Sequence, residues 1–382
     1  MSGATVQQIL SRYGQHHTAS TPHTAHVLHQ LGCCRTHAMG YHVYDCSNSE
    51  CATPRQYRYN SCSNRHCPQC GGLQKQAWME QRSTELLPVK YYHVVFTMPH
   101  ELNAVCMGNR KLIFNLLMDS SWYTLQKFSA DEKWMGATPG VISVLHSWGQ
   151  QLSFHPHVHC IVSGGGVDKN GVWTEAKKSH NQYLFHTASM MAVFRGRFLH
   201  QLQTFKNNGT LKWNSDTTAW DKLMIAVSTK NWVGYAKQPF GGPQQVIEYL
   251  AQYTQKTAIS NNRIQNVDIN GHVLFKWKDY ADGNKNKQMQ LHALEFIRRF
   301  EQHILPKGFT RIRHYGYLAN RGKTARIESI LASLKLPPPK PFITYNYATA
   351  MLLKFGVDIH LCKCCGIGRL TEVGKQERNR SG

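Results

Sequence analysis

The chain has 382 residues, and its 44 lysines and arginines against 22 aspartates and glutamates give a formal net charge of +22. With 41% hydrophobic and 11% aromatic residues it can build a packed core, which excludes a disordered protein, and the charge is too high for an ordinary metabolic enzyme. Such a charge favours a polyanionic partner, with nucleic acid first and an anionic membrane surface second.

The first 30 residues are polar and rich in histidine, without the apolar core of a signal peptide. Apolar stretches such as Leu112 to Met118 fall far short of the roughly 18 residues that a spanning helix needs. We therefore expect a soluble bacterial protein of the reducing cytoplasm with no membrane partner. Its 12 cysteines are then expected to bind metal rather than form disulfides.

A block rich in cysteine and histidine follows and predicts a small structural zinc-binding domain over residues 1–88. The candidate ligands are Cys34, His42, Cys46, Cys51, Cys62, His66, Cys67 and Cys70. One interleaved pairing takes Cys34, His42, Cys62 and His66 for one zinc ion and Cys46, Cys51, Cys67 and Cys70 for another. Spacing alone leaves this assignment open, so at least one zinc site is expected.

Helical and extended patterns then alternate, which predicts an α+β fold with antiparallel strand connections. The predicted helices are Leu73–Leu87, Leu102–Phe128, Ala188–Phe205, one from Pro243 to about Lys256, and Leu291–Leu305. The predicted strands are Tyr91–Thr97, Val141–Trp148, His157–Ser163, Val273–Tyr280 and Thr310–Tyr317. Gly164–Gly166 is expected to end the third strand, Asn170–Gly171 to form a hairpin turn, and Pro239–Pro243 to break the chain before the fourth helix.

The domain boundaries predicted from these patterns are residues 89–265 for a core, 266–335 for an accessory α/β region that completes the core, and 336–382 for a proline-rich spacer and a cysteine knuckle. In the last region, Cys362, Cys364 and Cys365, with His360 as a further donor, make only half of a metal site.

Two pairs of residues are candidates for catalysis. His157 and His159 alternate along a predicted strand, so both imidazoles project from one face and can chelate one cation. Tyr249 and Tyr253 lie one helical turn apart on the helix after Pro243, and Lys256 follows three residues later. A tyrosine hydroxyl is a poor nucleophile at neutral pH and needs a polarised phosphate and a nearby positive group, which the histidine-bound cation and Lys256 would provide. Together with the charge and the zinc block, these pairs indicate a site that nicks and joins DNA.

Several segments resemble the insertion sequence 91 family of HUH rolling-circle transposases. They are His93–Asn103, Leu145–Gly149, His155–Gly166, Pro239–Thr254, Ala258–Arg263 and, in the zinc block, Tyr59–Cys62 and Arg65–Cys70. The resemblance covers roughly residues 34–320. It implies an HUH-nuclease core with a central antiparallel sheet, with metal ligands at His157 and His159 and nucleophiles at Tyr249 and Tyr253. It leaves the third ligand open among His155, Glu248 and Gln252, and the expected cation is Mg²⁺ or Mn²⁺.

The function that follows is nicking of single-stranded DNA at the ends of an element through a 5′-phosphotyrosine, and rejoining to target DNA. We expect the protein to be associated with the nucleoid when it acts. Two alternatives stay open. One is a plasmid replication initiator or relaxase with the same chemistry, and the other is a non-catalytic zinc factor that binds DNA. The oligomeric state is left open.

Overall fold

The structure is a computed structural model that describes residues 4–177, 184–240, 242–254, 257–280, 282–339 and 341–378. Its α-helices are α1 (Val6–Tyr13), α2 (Pro22–Gly32), α3 (Gly72–Ser83), α4 (Asn103–Gly108), α5 (Arg110–Ala130), α6 (Thr187–Asn207), α7 (Thr217–Thr229), α8 (Pro243–Thr254), α9 (Ala293–Glu301), α10 (Lys323–Ser333) and α11 (Tyr347–Phe355). Within the described residues, no helix combines the length and the apolar character needed to cross a membrane.

The strands are β1 (Tyr41–Cys46), β2 (Arg55–Tyr59), β3 (Tyr91–Thr97), β4 (Thr138–Trp148), β5 (Phe154–Val167), β6 (Trp173–Glu175), β7 (Gly234–Phe240), β8 (Ile264–Val267), β9 (His272–Asp279), β10 (Lys285–His292), β11 (Ile312–Tyr315) and β12 (Leu370–Gln376). The chain divides into two compact units. The first unit contains Met1–Trp78, Gln255–Ile304 and Phe342–Gly382, and the second contains Met79–Thr254 and Leu305–Pro341.

The second unit is built on a six-stranded sheet. Five of its strands have the order β11-β4-β5-β3-β7, and the sixth, β6, pairs with β5. Neighbouring strands of this sheet pair antiparallel, and β5 lies centrally, with His159 opposite Val95 of β3 and Val144 of β4. Side chains alternate between the two faces of a strand, so residues opposite one another share a face. The histidines of β5 therefore share one face with Val95 and Val144.

The other face of this sheet carries the hydrophobic core of the second unit. Val94 of β3 and Val158 of β5 are fully buried there with Phe114 of α5 and Phe194 of α6. The alternation of the strands thus leaves the opposite face available for polar side chains.

The first unit holds two three-stranded antiparallel sheets, β12-β1-β2 and β10-β9-β8. In the former, the C-terminal strand β12 pairs with β1, with Tyr41 opposite Gln376 and Cys46 opposite Leu370. Helices α1 and α2 begin at capping boxes formed by Thr5 and Thr21. These two helices lie in the polar, histidine-rich segment in which the sequence pattern predicts no helix.

The predicted α+β class with a central antiparallel sheet is confirmed, and β3 has its predicted bounds. The prediction that Gly164–Gly166 end the third strand is wrong, because β5 continues to Val167. Glycine is needed inside this strand, since a Cβ at Gly165 would collide with Trp173 and one at Gly166 with Thr138. The expected break at Pro239–Pro243 begins later, because β7 includes Pro239 and Phe240 at the edge of the sheet, where proline is tolerated.

The predicted helix Leu102–Phe128 is instead two helices, α4 and α5. They are separated at Asn109, whose backbone angles (φ −135°, ψ 37°) are not helical. The Asn109 side chain accepts a hydrogen bond from the Lys212 backbone N–H (2.8 Å) and donates to the Lys212 carbonyl (2.9 Å), which fixes the break.

Candidate active site and cysteine clusters

Three histidines lie together on the face of the six-stranded sheet opposite the core. His146 of β4 is directly opposite His157 of β5, and His159 is two residues further along β5 on the same face. One ring nitrogen of each lies within 4.8 Å of the others. His146 and His159 are buried and His157 is half-buried. Three imidazoles at this separation can share one cation, and no carboxylate joins them among the described residues.

The orientation of His157 is fixed by its own strand. Its Nδ1 lies 2.6 Å from the backbone carbonyl oxygen of His155, to which the Nδ1–H donates, so Nε2 is the nitrogen left to bind a cation. Burial lowers the pKa of His157 to about 4. The ring is therefore neutral near pH 7, which is the form that binds metal.

Tyr249 of α8 places its hydroxyl next to these histidines. The hydroxyl oxygen lies 2.8 Å from Nε2 of His93 and 3.1 Å from Nδ1 of His159, and these two nitrogens are 2.9 Å apart. His93 comes from β3 and stacks on His159 with ring centroids 5.1 Å apart and an interplanar angle of 5°. Phe240 packs against the Tyr249 ring at 5.2 Å. Helix α8 thus holds one tyrosine hydroxyl between two imidazoles.

The structure brings together three of the predicted catalytic residues, His157, His159 and Tyr249. Tyr253 lies one turn further along α8, in the part of the helix whose side chains are not described, and Lys256 is outside the described residues. The predicted roles of these residues stay predictions.

Of the three residues considered for the third ligand, His155 and Glu248 do not join the cluster, and Gln252 stays a prediction. His155 is exposed and contributes its backbone carbonyl to His157. Glu248 is exposed and accepts a hydrogen bond from Gln244 (3.2 Å), and the Gln252 side chain is not described. The cluster contains His146 instead.

Sequence reasoning did not assign roles to His146 and His93, although both belong to segments that carry the family resemblance. Each lies on a strand that pairs with β5. The sequence does show that each of these two histidines lies within a predicted strand. It does not show which strands are neighbours in the sheet, because strand pairing is set by the tertiary fold.

Eight cysteines of the first unit form two clusters among the described residues. In the first cluster Cys34 Sγ lies 3.5 Å from Cys70 Sγ and 3.6 Å from Cys67 Sγ, and Cys62 Sγ lies 3.7 Å from Cys70 Sγ. Four sulfurs each about 2.3 Å from a tetrahedral zinc ion are about 3.8 Å apart, so this cluster has the dimensions of a Cys₄ zinc site. Hydrogen bonds from the Cys62 and Cys67 thiols lower the pKa of Cys34 and raise the pKa of the two donors, so Cys34 is the first of these three thiols to ionise.

The second cluster combines Cys46 and Cys51 with Cys362 and Cys365. The interleaved pairing written from the sequence is therefore wrong, because neither cluster contains His42 or His66. His42 is on β1, four residues and about 13 Å along the strand from Cys46, and its Nδ1 lies 2.9 Å from Oε1 of Glu372. His66 is half-buried next to Cys67.

Comparison with known proteins gives matches along most of the chain. A family model described as "Putative transposase" matches residues 140–325, and one described as "Transposase zinc-binding domain" matches residues 5–98. The chain is 36% identical to "Putative transposase y4qJ" of Sinorhizobium fredii over 386 aligned residues, covering 97% of this chain and 95% of the relative. It is 28% identical to the transposase for insertion sequence element IS801 of Pseudomonas savastanoi pv. phaseolicola, covering 87% of this chain and 79% of that protein.

Among solved structures, the chain is similar to a conjugative relaxase, TrwC, in complex with OriT DNA. The identity is 14%, and the match covers 42% of this chain and 71% of the relaxase chain with a TM-score of 0.24. A TM-score at this level does not establish a common fold.

Proposed function

The chain belongs to the insertion sequence 91 family of transposases, and we propose that it nicks and rejoins single-stranded DNA through Tyr249, which attacks a phosphate held beside the three histidines. One observation carries this proposal. The Tyr249 hydroxyl lies within hydrogen-bond distance of both His93 and His159, on the face of the sheet that carries the cation ligands. The nucleophile, the imidazole that accepts its proton and the ligands of the cation are then adjacent to one another.

The hydrogen bonds suggest how Tyr249 is activated. If His159 binds a cation through Nε2, its Nδ1 carries the proton and donates to the Tyr249 oxygen. The Tyr249 O–H then donates to Nε2 of His93, which acts as the general base. As the tyrosine oxygen forms its bond to phosphorus, the proton passes to His93 and the bond from phosphorus to the 3′ oxygen breaks.

The products are a 5′-phosphotyrosine and a strand end whose 3′ oxygen takes up a proton to become a 3′-OH. The phosphotyrosine retains a phosphodiester bond, so no nucleotide cofactor is required to rejoin the strand. Attack by a 3′-OH of target DNA reverses the chemistry, transfers the phosphate to that strand and returns the proton to Tyr249. Tyr253 is proposed as a second nucleophile one turn away, and Lys256 as a positive group near the phosphate.

The residues that would hold the catalytic cation are His146, His157 and His159. When bound there, a divalent cation would polarise the phosphate and neutralise charge that develops on its oxygens. Three imidazoles without a carboxylate suit Mn²⁺ better than Mg²⁺, which prefers oxygen ligands. Of the two cations expected from the sequence, the donor set favours Mn²⁺.

The zinc-binding domain contributes the first cysteine cluster, with Cys34, Cys62, Cys67 and Cys70 as the proposed ligands of a structural zinc ion. The proposed partners are single-stranded element ends and target DNA, which the net charge of +22 would attract. We place this activity in the bacterial cytoplasm, at the nucleoid.

The test uses labelled single-stranded oligonucleotides from the ends of the native element, incubated with the purified protein and Mn²⁺. We expect a covalent protein–DNA adduct that survives denaturation, with the label on Tyr249 or Tyr253 after proteolysis. We expect Tyr249→Phe and Tyr253→Phe to lose complete strand transfer, and the double variant to form no adduct. An adduct in the double variant would place the nucleophile elsewhere, and binding without any adduct would indicate the non-catalytic DNA-binding factor.

A further inference from the structure

We propose that Cys46, Cys51, Cys362 and Cys365 form a second structural zinc site, which fastens the C-terminal segment to the sheet of β1 and β2. All four cysteines belong to the first unit, and all have free thiols. The family model for the zinc-binding domain matches only residues 5–98, so two of these four ligands lie far outside it. This inference concerns the metal content of the chain and does not depend on the proposed DNA chemistry.

The sulfur positions have the dimensions of a tetrahedral site. Cys46 Sγ lies 3.7 Å from Cys365 Sγ, and Cys51 Sγ lies 3.7 Å from Cys362 Sγ. Zinc–sulfur bonds of about 2.3 Å place tetrahedral sulfurs about 3.8 Å apart, whereas a disulfide would require about 2.05 Å. The same spacing occurs in the first cluster, which the zinc-binding family match covers.

Three of the four sulfurs accept hydrogen bonds from nitrogen donors. Backbone N–H groups approach two of them, from Asn48 to Cys46 Sγ at 3.5 Å and from Gly368 to Cys365 Sγ at 3.3 Å. The side-chain amide of Gln56 donates to Cys362 Sγ at 2.9 Å. Such donors stabilise a sulfur anion, as in the outer shell of a metal site.

Cys362 and Cys365 lie on a tight turn that brings both sulfurs to the same side. The Gly366 N–H donates to the Cys362 carbonyl (2.9 Å), and the Cys362 N–H donates to the Gly368 carbonyl (2.8 Å). Gly368 has no space for a side chain, because a Cβ there would collide with Cys46 Sγ. The turn therefore packs directly on the other half of the cluster.

Pairing of strands brings the two halves together. β12 follows the turn and pairs along β1, and Ser47 N–H donates to the Arg369 carbonyl (2.9 Å) just beyond the end of β1. The sulfurs of Cys51 and Cys362 meet although 311 positions separate them in the chain. A metal that joins such distant positions holds the C-terminal segment to the N-terminal sheet, and its binding free energy adds to the free energy of unfolding.

The experiment measures zinc in the full-length protein by native mass spectrometry and metal analysis. We expect two zinc ions per chain in the wild type and one in the Cys362→Ser/Cys365→Ser variant. Cys364 is exposed and belongs to neither cluster, so Cys364→Ser is the matched control and should keep two zinc ions. A wild type with a single zinc ion, or loss of one ion from the control but not from the double variant, would overturn the assignment.

A second measurement keeps the test valid if the double variant does not fold. The wild type is treated with iodoacetamide before and after removal of zinc by a chelator, and the modified cysteines are mapped by mass spectrometry. Cys46 and Cys365 are only half-buried, so burial alone would not protect them. We expect both to be protected until the chelator is added, while Cys364 reacts from the start. Equal reactivity of the three in zinc-loaded protein would contradict the site.

Discussion

At the scale of single residues, the catalytic face of the sheet depends on which histidines the strand pairing brings to one side. His157 and His159 could be predicted because they alternate within one strand. His146 and His93 could not be predicted as neighbours of this pair, because strand register cannot be read from the sequence. The register places His146 opposite His157 and His93 opposite Ile161. Tyr249 was predicted from helical spacing, but its contact with His93 depends on the packing of α8 against the sheet.

His146 gives the first prediction. His146→Ala should weaken Mn²⁺ binding by 10-fold or more and reduce cleavage, because it removes one of three imidazole ligands. Isothermal titration with Mn²⁺ and with Mg²⁺ checks both the ligand set and the preference for Mn²⁺. His155→Ala removes a nearby exposed imidazole and leaves the backbone carbonyl in place, so it should bind Mn²⁺ like the wild type. The reverse result, with binding lost only in His155→Ala, would restore His155 as the third ligand.

His93 gives the second prediction. His93→Gln should slow adduct formation by about 10²–10⁴-fold, since it removes the proposed general base while keeping a polar side chain. Without a base, only ionised tyrosine attacks, so the remaining rate should rise with pH toward the ordinary tyrosine pKa near 10.

Single-turnover cleavage across a pH series measures this, with oligonucleotide affinity as the control for folding. An unchanged pH profile in His93→Gln would show that His93 only positions Tyr249.

At the scale of elements, local patterns predicted strands such as β3 and β4, which are largely apolar runs buried on both faces of the sheet. They failed where a tertiary contact overrides the local signal. β5 continues through Gly164–Gly166 because close neighbours require glycine there, and β7 includes Pro239 because it is an edge strand. The partners of Cys46 and Cys51 were missed for the same reason, since β12 returns to β1 from the other end of the chain.

Strand β2 presents an aromatic surface in the first unit and gives the third prediction. Tyr57 and Tyr59 are 53% and 43% exposed, lie on the same face of the strand as Arg55, and both contact the Tyr41 ring edge-on. Exposed aromatic rings beside positive charge are typical of surfaces on which single-stranded bases stack. Tyr57→Ala/Tyr59→Ala should therefore weaken binding of single-stranded DNA by about 1–3 kcal/mol for each stacked base lost.

Fluorescence anisotropy with single-stranded and duplex oligonucleotides measures this effect. The control variant is Tyr123→Ala. Tyr123 of α5 is also exposed, but the Arg197 guanidinium lies over its ring, so this variant should bind DNA like the wild type. Equal affinity of the double variant and the control would show that β2 does not contact DNA.

At the scale of the whole molecule, composition and charge predicted a polyanionic partner but not the way the chain is divided. The boundaries predicted at residues 88, 265 and 335 assume that each domain is one continuous segment, and they stay predictions. The compact units are discontinuous, because the first unit collects three separate stretches of the chain. Contacts at such sequence separations leave no local pattern, since each half of a contact is compatible with many partners.

The stability of the second unit supplies the last prediction, because this unit contains a half-buried histidine next to two positive charges. His314 of β11 lies near Arg82 and Lys323, whose side chains both pair with Glu85, at 2.7 and 2.6 Å. Burial first, and then the charges of Arg82 and Lys323, lower the pKa of His314 to about 3. Its Nε2 has no hydrogen-bond partner among the described residues, so nothing there compensates a proton.

The unfolded chain binds a proton at His314 near its ordinary value of 6.5, whereas the folded chain does so only near 3. The free energy of unfolding therefore retains this contribution above pH 6.5 and loses it as the pH falls from 6.5 towards 3. His314→Gln cannot be protonated, so its Tm should fall less than that of the wild type over this interval, as differential scanning calorimetry at pH 7.5, 5.5 and 4 would measure. Parallel Tm curves for the two proteins would show that His314 does not couple folding to pH.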